Sequence, residues 1–384
     1  MKKIILISIL LIISKSAFSQ GNQIILKASS ISVDIKIGKE LFKNAWTLMP
    51  EIKPDIYVTN SKKVTFYTNL ESKEFILKKN EVINFIILLN NKDTAYTQIK
   101  QDPNYKPNGT ISYLSILQKA KKYDSKDVSV FPKYTYQSKG DPKLIQLRKE
   151  YNLDSIAGQG NEVSKILNLL HWVHTTIPHD GQHSNPDIKN ALSMIPECKK
   201  DNRGLNCRGL AITLNECYLA MGIKSHYVTC MPKDSIFDDC HVINSVFSTE
   251  LNKWLYIDPT NDAYVMNENG ELLSIQEVRE RLINGKPLIL NPTANWNNKQ
   301  STLKEEYLYN YMAKNLYRIE CPISSEFDIE TFKNGEAYKT IQLLPLDAYN
   351  HTIKMTQSFN KYFNMLFINY TTNNPDLFWE IPLK

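Results

Sequence analysis

Three residues in the second half of this 384-residue chain have the types needed for an activated thiol. Cys207 stands in Gly204-Leu205-Asn206-Cys207-Arg208-Gly209-Leu210, His241 in Asp239-Cys240-His241-Val242, and Asp258 in Leu255-Tyr256-Ile257-Asp258-Pro259. A thiolate is a strong nucleophile, an imidazole can take and return a proton, and a carboxylate can fix the imidazole's tautomer. If the three side chains meet, the chemistry they predict is acyl transfer through a thioester.

The surrounding elements have to bring them together. Cys207, Leu210, Ala211, Leu214, Cys217, Tyr218 and Met221 recur at helical spacing, and Gly222 stands where a helix stops. Asn206 is a good N-cap, so Cys207 falls in the first turn. Free N–H groups and the helix dipole there lower a thiol's pKa and can hold a developing oxyanion. A buried structural cysteine is the competing reading of that position taken alone. Further on, Val242 to Phe247 and Trp254 to Ile257 read as two strands joined by the polar turn Ser248 to Lys253. A register with His241 opposite Asp258 sets Ile243 against Tyr256 and Ser245 against Trp254, and places the imidazole beside the carboxylate. A slip of one residue would put them on opposite faces. The competing reading is a surface His–Asp pair.

Other constellations carry less. His171, His174, His179 and His183 form H-x-x-H-x4-H-x3-H, but no carboxylate or thiol completes a metal-ligand pattern close by, so no metal is expected. The loop His179 to Pro186 is polar and can line a cleft. Gln182 is its candidate second oxyanion donor, beside Asn206 at the helix start; a plain solvated loop is the alternative. Cys240 adjoins His241, but neighbouring strand residues point to opposite faces, which predicts a core position. No phosphate-cradling glycine loop and no G-x-S-x-G elbow occurs, and no cofactor is implied.

The chain as a whole sets the frame. Met1-Lys2-Lys3, an apolar run from Ile4 to Ile13 and Ala17-Phe18-Ser19 read as a signal peptide over 1–19, with cleavage between Ser19 and Gln20. The run is too short to span a bilayer. Export to the periplasm or beyond is therefore the expected localisation. The formal charge of +6 falls to +3 once Lys2, Lys3 and Lys15 leave, which gives no electrostatic argument for nucleic acid. Export permits disulfides, yet the six cysteines lie in apolar segments and mostly read as small buried residues. Residues 20–105 alternate like strands, including Ile31, Val33, Ile35 and Ile37, and Phe75-Ile76-Leu77 reads as a buried strand. This predicts a β-sandwich-like accessory domain, then a mixed linker segment over 106–145, a catalytic domain over 146–320 and a C-terminal β extension over 321–384.

Taken together, the cysteine segment, which runs on to Ala220-Met221-Gly222-Ile223-Lys224, the histidine segment, and Trp254-Leu255-Tyr256-Ile257-Asp258-Pro259-Thr260 resemble the three motifs of the transglutaminase-like superfamily, in order and at similar spacing. The resemblance covers about residues 145 to 290. Lys224 departs from the small residues usual after the helix glycine. The resemblance implies an α+β fold with a papain-like core, in which a helix-borne cysteine packs on an antiparallel sheet. It implies Cys207 as nucleophile, His241 as general base and acid, and Asp258 as its orienting partner. The expected partner is a peptide, protein or cell-wall peptide substrate, with hydrolysis favoured over cross-linking. A non-enzymatic binding or scaffold protein that keeps the fold is the rival expectation.

Overall fold

The computed structural model describes residues 23–382, apart from 39, 49, 51–53, 104–112, 234–238, 332–336, 351 and 362. The signal peptide and its cleavage point lie outside the described residues, as do the first seven residues of the expected linker segment, 106–112, and residues 234–238 ahead of His241. The chain divides into two compact units, Met1–Thr110 and Ile111–Lys384. Its content is mixed α and β with several sheets, an α+β protein.

The first unit follows from period-two patterning. Val33 and Ile35 from one strand, Val64 and Phe66 from the next, and Phe85, Ile87 and Ile99 all turn inward and are fully buried. They fill the core of a unit with two four-stranded sheets. Phe66 meets Trp46, Phe75 and Phe85 in edge-on or near edge-on contacts. The expectation that Phe75-Ile76-Leu77 is buried throughout is corrected. Ile76 is 73% exposed while Phe75 and Leu77 are inside, so this strand alternates and has only one covered face.

The second unit is built on a nine-stranded sheet. At its centre lie Lys253–Asp258, His241–Ser248, Ser225–Met231 and Arg318–Pro322, each antiparallel to the next. Alternation along Ser225–Met231 sends Tyr227 to one face and Val228 and Cys230 to the other. On the Tyr227 face pack the helices Pro142–Glu150, Glu162–Thr176, Ala191–Asp201 and Cys207–Ala220. On the Val228 face pack Tyr113–Gln118, Ile275–Ile283 and the helical run Glu305–Asn315.

Three expectations change here. The sheet is not purely antiparallel, because Ala337–Leu343 and Met365–Thr372 run parallel. Residues 321–384 are no appendage: their strands continue the same sheet, and Ile341 and Leu343 sit in the core shared with Val228 and Ile243. The described part of 106–145 is likewise integral. Leu114 and Leu117 lie in that core, and Leu144 packs with the cysteine helix.

Candidate active site

The helix Cys207–Ala220 begins where its sequence predicts. Asn206 is extended, and its side-chain oxygen accepts from the Gly209 N–H at 3.2 Å. Asn185 holds that cap from both sides. Its Nδ2 donates to Asn206 Oδ1 at 2.7 Å, and its Oδ1 accepts from the Asn206 N–H at 2.9 Å. Gly209 makes room for this clamp, since a Cβ there would come within 2.8 Å of the Asn185 amide. Losing such a cap typically costs about 1 kcal/mol. The helix closes at Met221, fourteen residues after Cys207, and Gly222 takes φ +79 as the left-handed stop.

The hairpin brings His241 and Asp258 together, though not by the expected register. Ser245 stands opposite Tyr256 and Asn244 opposite Ile257, a slip of two residues from the predicted pairing. An even slip keeps both side chains on one face, and the two become diagonal neighbours. His241 Nε2 and Asp258 Oδ2 are 2.8 Å apart. The pair is not on the surface: His241 is 1% exposed and Asp258 0%.

The groups bonded to Asp258 favour its charged form. Besides His241, Oδ2 accepts from Tyr307 at 2.5 Å and Asn261 at 3.1 Å, and Oδ1 accepts from the Thr260 N–H at 2.8 Å. Burial opposes ionisation, but the His241 charge and these bonds outweigh it and hold the carboxyl below its usual range. Burial would likewise discharge His241, yet Asp258 and the Cys207 sulfur push it up to about 10. The Tyr311 ring meets the His241 ring edge-on, with centroids 5.2 Å apart.

Cys207 completes the group. Burial would raise its pKa. Side-chain hydrogen bonds from His179 and His241, the His241 charge and the Val242 N–H outweigh burial and bring it to about 6. Near neutral pH the sulfur is thus a thiolate facing an imidazolium. The other thiols are pushed up by burial: Cys198 to about 11, Cys321 to about 12, and Cys217, Cys230 and Cys240 also upward. No pair is bridged. Cys240 is half-buried and belongs to neither apolar cluster, which corrects its expected core position. It immediately precedes the strand His241–Ser248, so the alternation rule does not fix its direction.

The remaining candidates separate. Gln182 is exposed, and its backbone N–H donates to Asp180 Oδ1 at 3.0 Å; from that loop it is His179, not Gln182, that reaches the sulfur. The side-chain oxygen of Asn206 is taken up by its cap, and its N–H by Asn185. The four histidines of the metal-like run go separate ways: His171 to Asp262, His174 to Pro259 and Asn295, His179 to Cys207, and His183 to Asp180. Among the described residues no group of three or more such side chains could hold a metal ion. No helix among them is long and apolar enough to cross a membrane.

Sequence reasoning missed His179, Tyr307, Tyr311 and Asn261. Asn261 follows Asp258 within the same motif. Tyr307 and Tyr311 stand on the helical run Glu305–Asn315, which the sequence did not connect with the site.

Two solved structures are similar to parts of the chain. One is a candidate cysteine protease from Cytophaga hutchinsonii, at TM-score 0.26 and 22% identity over 37% of this chain and 43% of that one. The other is red sea bream transglutaminase, at TM-score 0.22 and 9% identity over 67% of this chain and 52% of that one. The chain therefore spans about half the length of each, or less. No family model matches the chain, and no curated protein matches it.

Proposed function

We propose that this protein is a transglutaminase-like thiol enzyme that cleaves an amide or peptide bond. The observation that carries the proposal is the line of buried Asp258 and His241 and half-buried Cys207, with the thiol drawn down to about 6 and the imidazole pushed up to about 10. In the reaction, the Cys207 thiolate attacks the carbonyl carbon. A C–S bond forms and the carbonyl π pair moves to oxygen. The oxyanion then collapses, the C–N bond breaks, and the imidazolium of His241 gives its proton to the departing amine. This leaves a thioester. Water attacks next, and neutral His241 takes its proton. The C–S bond breaks and the acid departs, restoring thiolate and imidazolium. Asp258 stays ionised throughout and fixes which ring nitrogen faces it.

An amine in place of water would give cross-linking; we favour hydrolysis. The substrate class is a peptide, protein or cell-wall peptide, met after export guided by residues 1–19. The test is reaction with iodoacetamide at neutral pH, mapped by mass spectrometry, together with amine release from a pool of peptide amides. Rapid alkylation confined to Cys207, and amine release abolished in Cys207→Ser, support the reading. Alkylation of Cys207 no faster than that of an ordinary thiol would overturn it and favour a binding protein.

A further inference from the structure

Arg208, the residue after the nucleophile, belongs to a second polar site. The alternation that turns Tyr227 toward the cysteine helix turns Thr229 the same way, and Thr229 Oγ1 accepts from Arg208 Nη2 at 3.0 Å. Strand register carries that face outward across the sheet. Thr229 stands opposite Glu320, and Glu320 opposite Gln342. Four residues before Gln342 comes Tyr338, which pairs with Phe367, and Phe367 pairs with Ser358 on the edge strand Met355–Asn360. Side chains paired across strands share a face. Over these outer strands the face opens as a bowl of about 670 Å³, lined by Arg208, Glu320, Glu330, Tyr338 and, at its outer edge, Ser358.

The bowl holds two carboxylates and one guanidinium, and they are not equally matched. Glu330 is 4% exposed, and its Oε1 accepts from Arg208 Nη1 at 2.6 Å and from the Tyr338 hydroxyl at 3.1 Å. That ion pair is complete. Glu320 has no ion-pair partner among the described residues. Its Oε2 accepts from the neutral amide of Gln342 at 2.6 Å, and no described residue bonds its Oε1. Burial pushes this carboxyl above 4.5, and the Gln342 bond and the charges of Arg208 and Arg318 do not make up the difference. The other cations nearby are turned to backbone: Lys189 Nζ donates to the Glu330 carbonyl at 3.4 Å, and Arg318 Nε to the Pro232 carbonyl at 2.8 Å. One negative charge is left facing the bowl.

We propose that this bowl is a specificity subsite that takes a cationic side chain, lysine or arginine, of the peptide bound at Cys207. The subsite deepens the thiol-enzyme reading and rests on it. Consecutive Cα atoms lie about 3.8 Å apart, so the bowl begins one side chain's length from the backbone of the nucleophile. The apolar stem of a lysine or arginine lies over the Tyr338 and Phe367 rings, which meet edge-on with centroids 5.7 Å apart, while its charge meets Glu320. An anion in the same place would face Glu320 and an Arg208 already paired.

The test uses iodoacetyl probes that differ in one side chain. Lysine amide, norleucine amide or glutamate amide is joined to the iodoacetyl group directly or through one or two glycines. The rate of alkylation at Cys207 of the full-length protein is read by mass spectrometry. Expected is that at one of these spacings the lysine probe reacts about tenfold faster than the norleucine probe, with glutamate no faster than norleucine. Equal rates for lysine and norleucine at every spacing overturn the proposal. A preference for glutamate also overturns it, and would mark Arg208 as an anion site. Glu320→Gln removes the charge at constant shape and should bring the lysine-to-norleucine ratio close to one; an unchanged ratio overturns the proposal. If Glu320→Gln does not fold, Ser358→Lys on the exposed edge strand serves instead. Its ammonium would occupy the bowl and should abolish the preference, and a preference that survives overturns the proposal. A ratio taken within one variant cancels any change in the thiol itself. The subsite is therefore read even if iodoacetamide shows Cys207 to be an ordinary thiol: the enzyme reading then fails, and a lysine preference lost in Glu320→Gln still establishes the cation site.

Discussion

The two sides of the Cys207 sulfur differ in how tightly they are held. On the strand side, His241 and Asp258 are sealed from solvent, and the carboxylate takes four hydrogen bonds, one of them from His241. Tyr256 and Tyr307 continue this network into the core at 2.6 Å. On the loop side, His179 is half-buried and its neighbour Trp296 is 42% exposed. The difference teaches a division of labour. Charge separation needs a dry, fully bonded site, because an ion pair without partners is costly there. Under the proposed function, contact with a substrate needs an open wall, and the hairpin Asn295–Trp296 and Gln300–Ser301, with Trp296 exposed, would supply one.

This contrast can be broken from the strand side with the largest effect. His241→Ala removes the proton carrier, and kcat/KM should fall by about 10³-fold or more. The same variant should lose the low-pH alkylation of Cys207. In the wild type, alkylation should rise with pH through about 6, where the thiol gives up its proton. Turnover should then fall as His241 loses its proton near about 10, since the leaving amine then has no acid. A wild-type alkylation limb near that of a free thiol would refute the ion pair. Next in size, Tyr307→Phe deletes one bond to Asp258 and should cost about tenfold in kcat with a lowered melting temperature, read by steady-state kinetics and thermal unfolding. On the open side, Trp296→Ala should raise KM a few-fold, about 1 kcal/mol of binding, and leave the melting temperature unchanged. Equal effects of these two variants on stability would erase the distinction.

The smallest effect lies away from the sulfur. Glu216 on the cysteine helix is fully buried, accepts from the Ala191 and Asp328 N–H groups at 2.6 and 2.9 Å, and is pushed by burial from 4.5 up to about 8. Between those values the folded protein keeps a proton that the unfolded chain has lost. Stability therefore falls as pH rises across that window. Glu216→Gln has no such proton, so its melting temperature should be flatter with pH while kcat stays unaltered. A slope equal to wild type would remove Glu216 as the cause.

What the sequence disclosed depended on whether the signal was local. The start and stop of the cysteine helix were legible because Asn206 and Gly222 act on their own neighbours. The face shared by His241 and Asp258 was legible from alternation, but the register was not: a period of two reads the same after a slip of two, and only the turn settles it. The strands after residue 337 were legible as strands. Their membership in the central sheet was not, because pairing joins distant segments. Tyr307 and Tyr311 escaped for another reason. Residues Glu305–Met312 form a π-helix, whose wider turn puts side chains where a 3.6-residue pattern does not look. His179 was beyond reach because its place beside the sulfur depends on Gly204 and on a hairpin over a hundred residues away.

The unbridged cysteines have a practical consequence. Five thiols are held protonated by burial and one is ionised by its partners. A mild electrophile at neutral pH should therefore report a single fast site in the native molecule and all six after denaturant. The ratio of the two counts is a gauge of intact protein in any preparation, obtained without a substrate in hand.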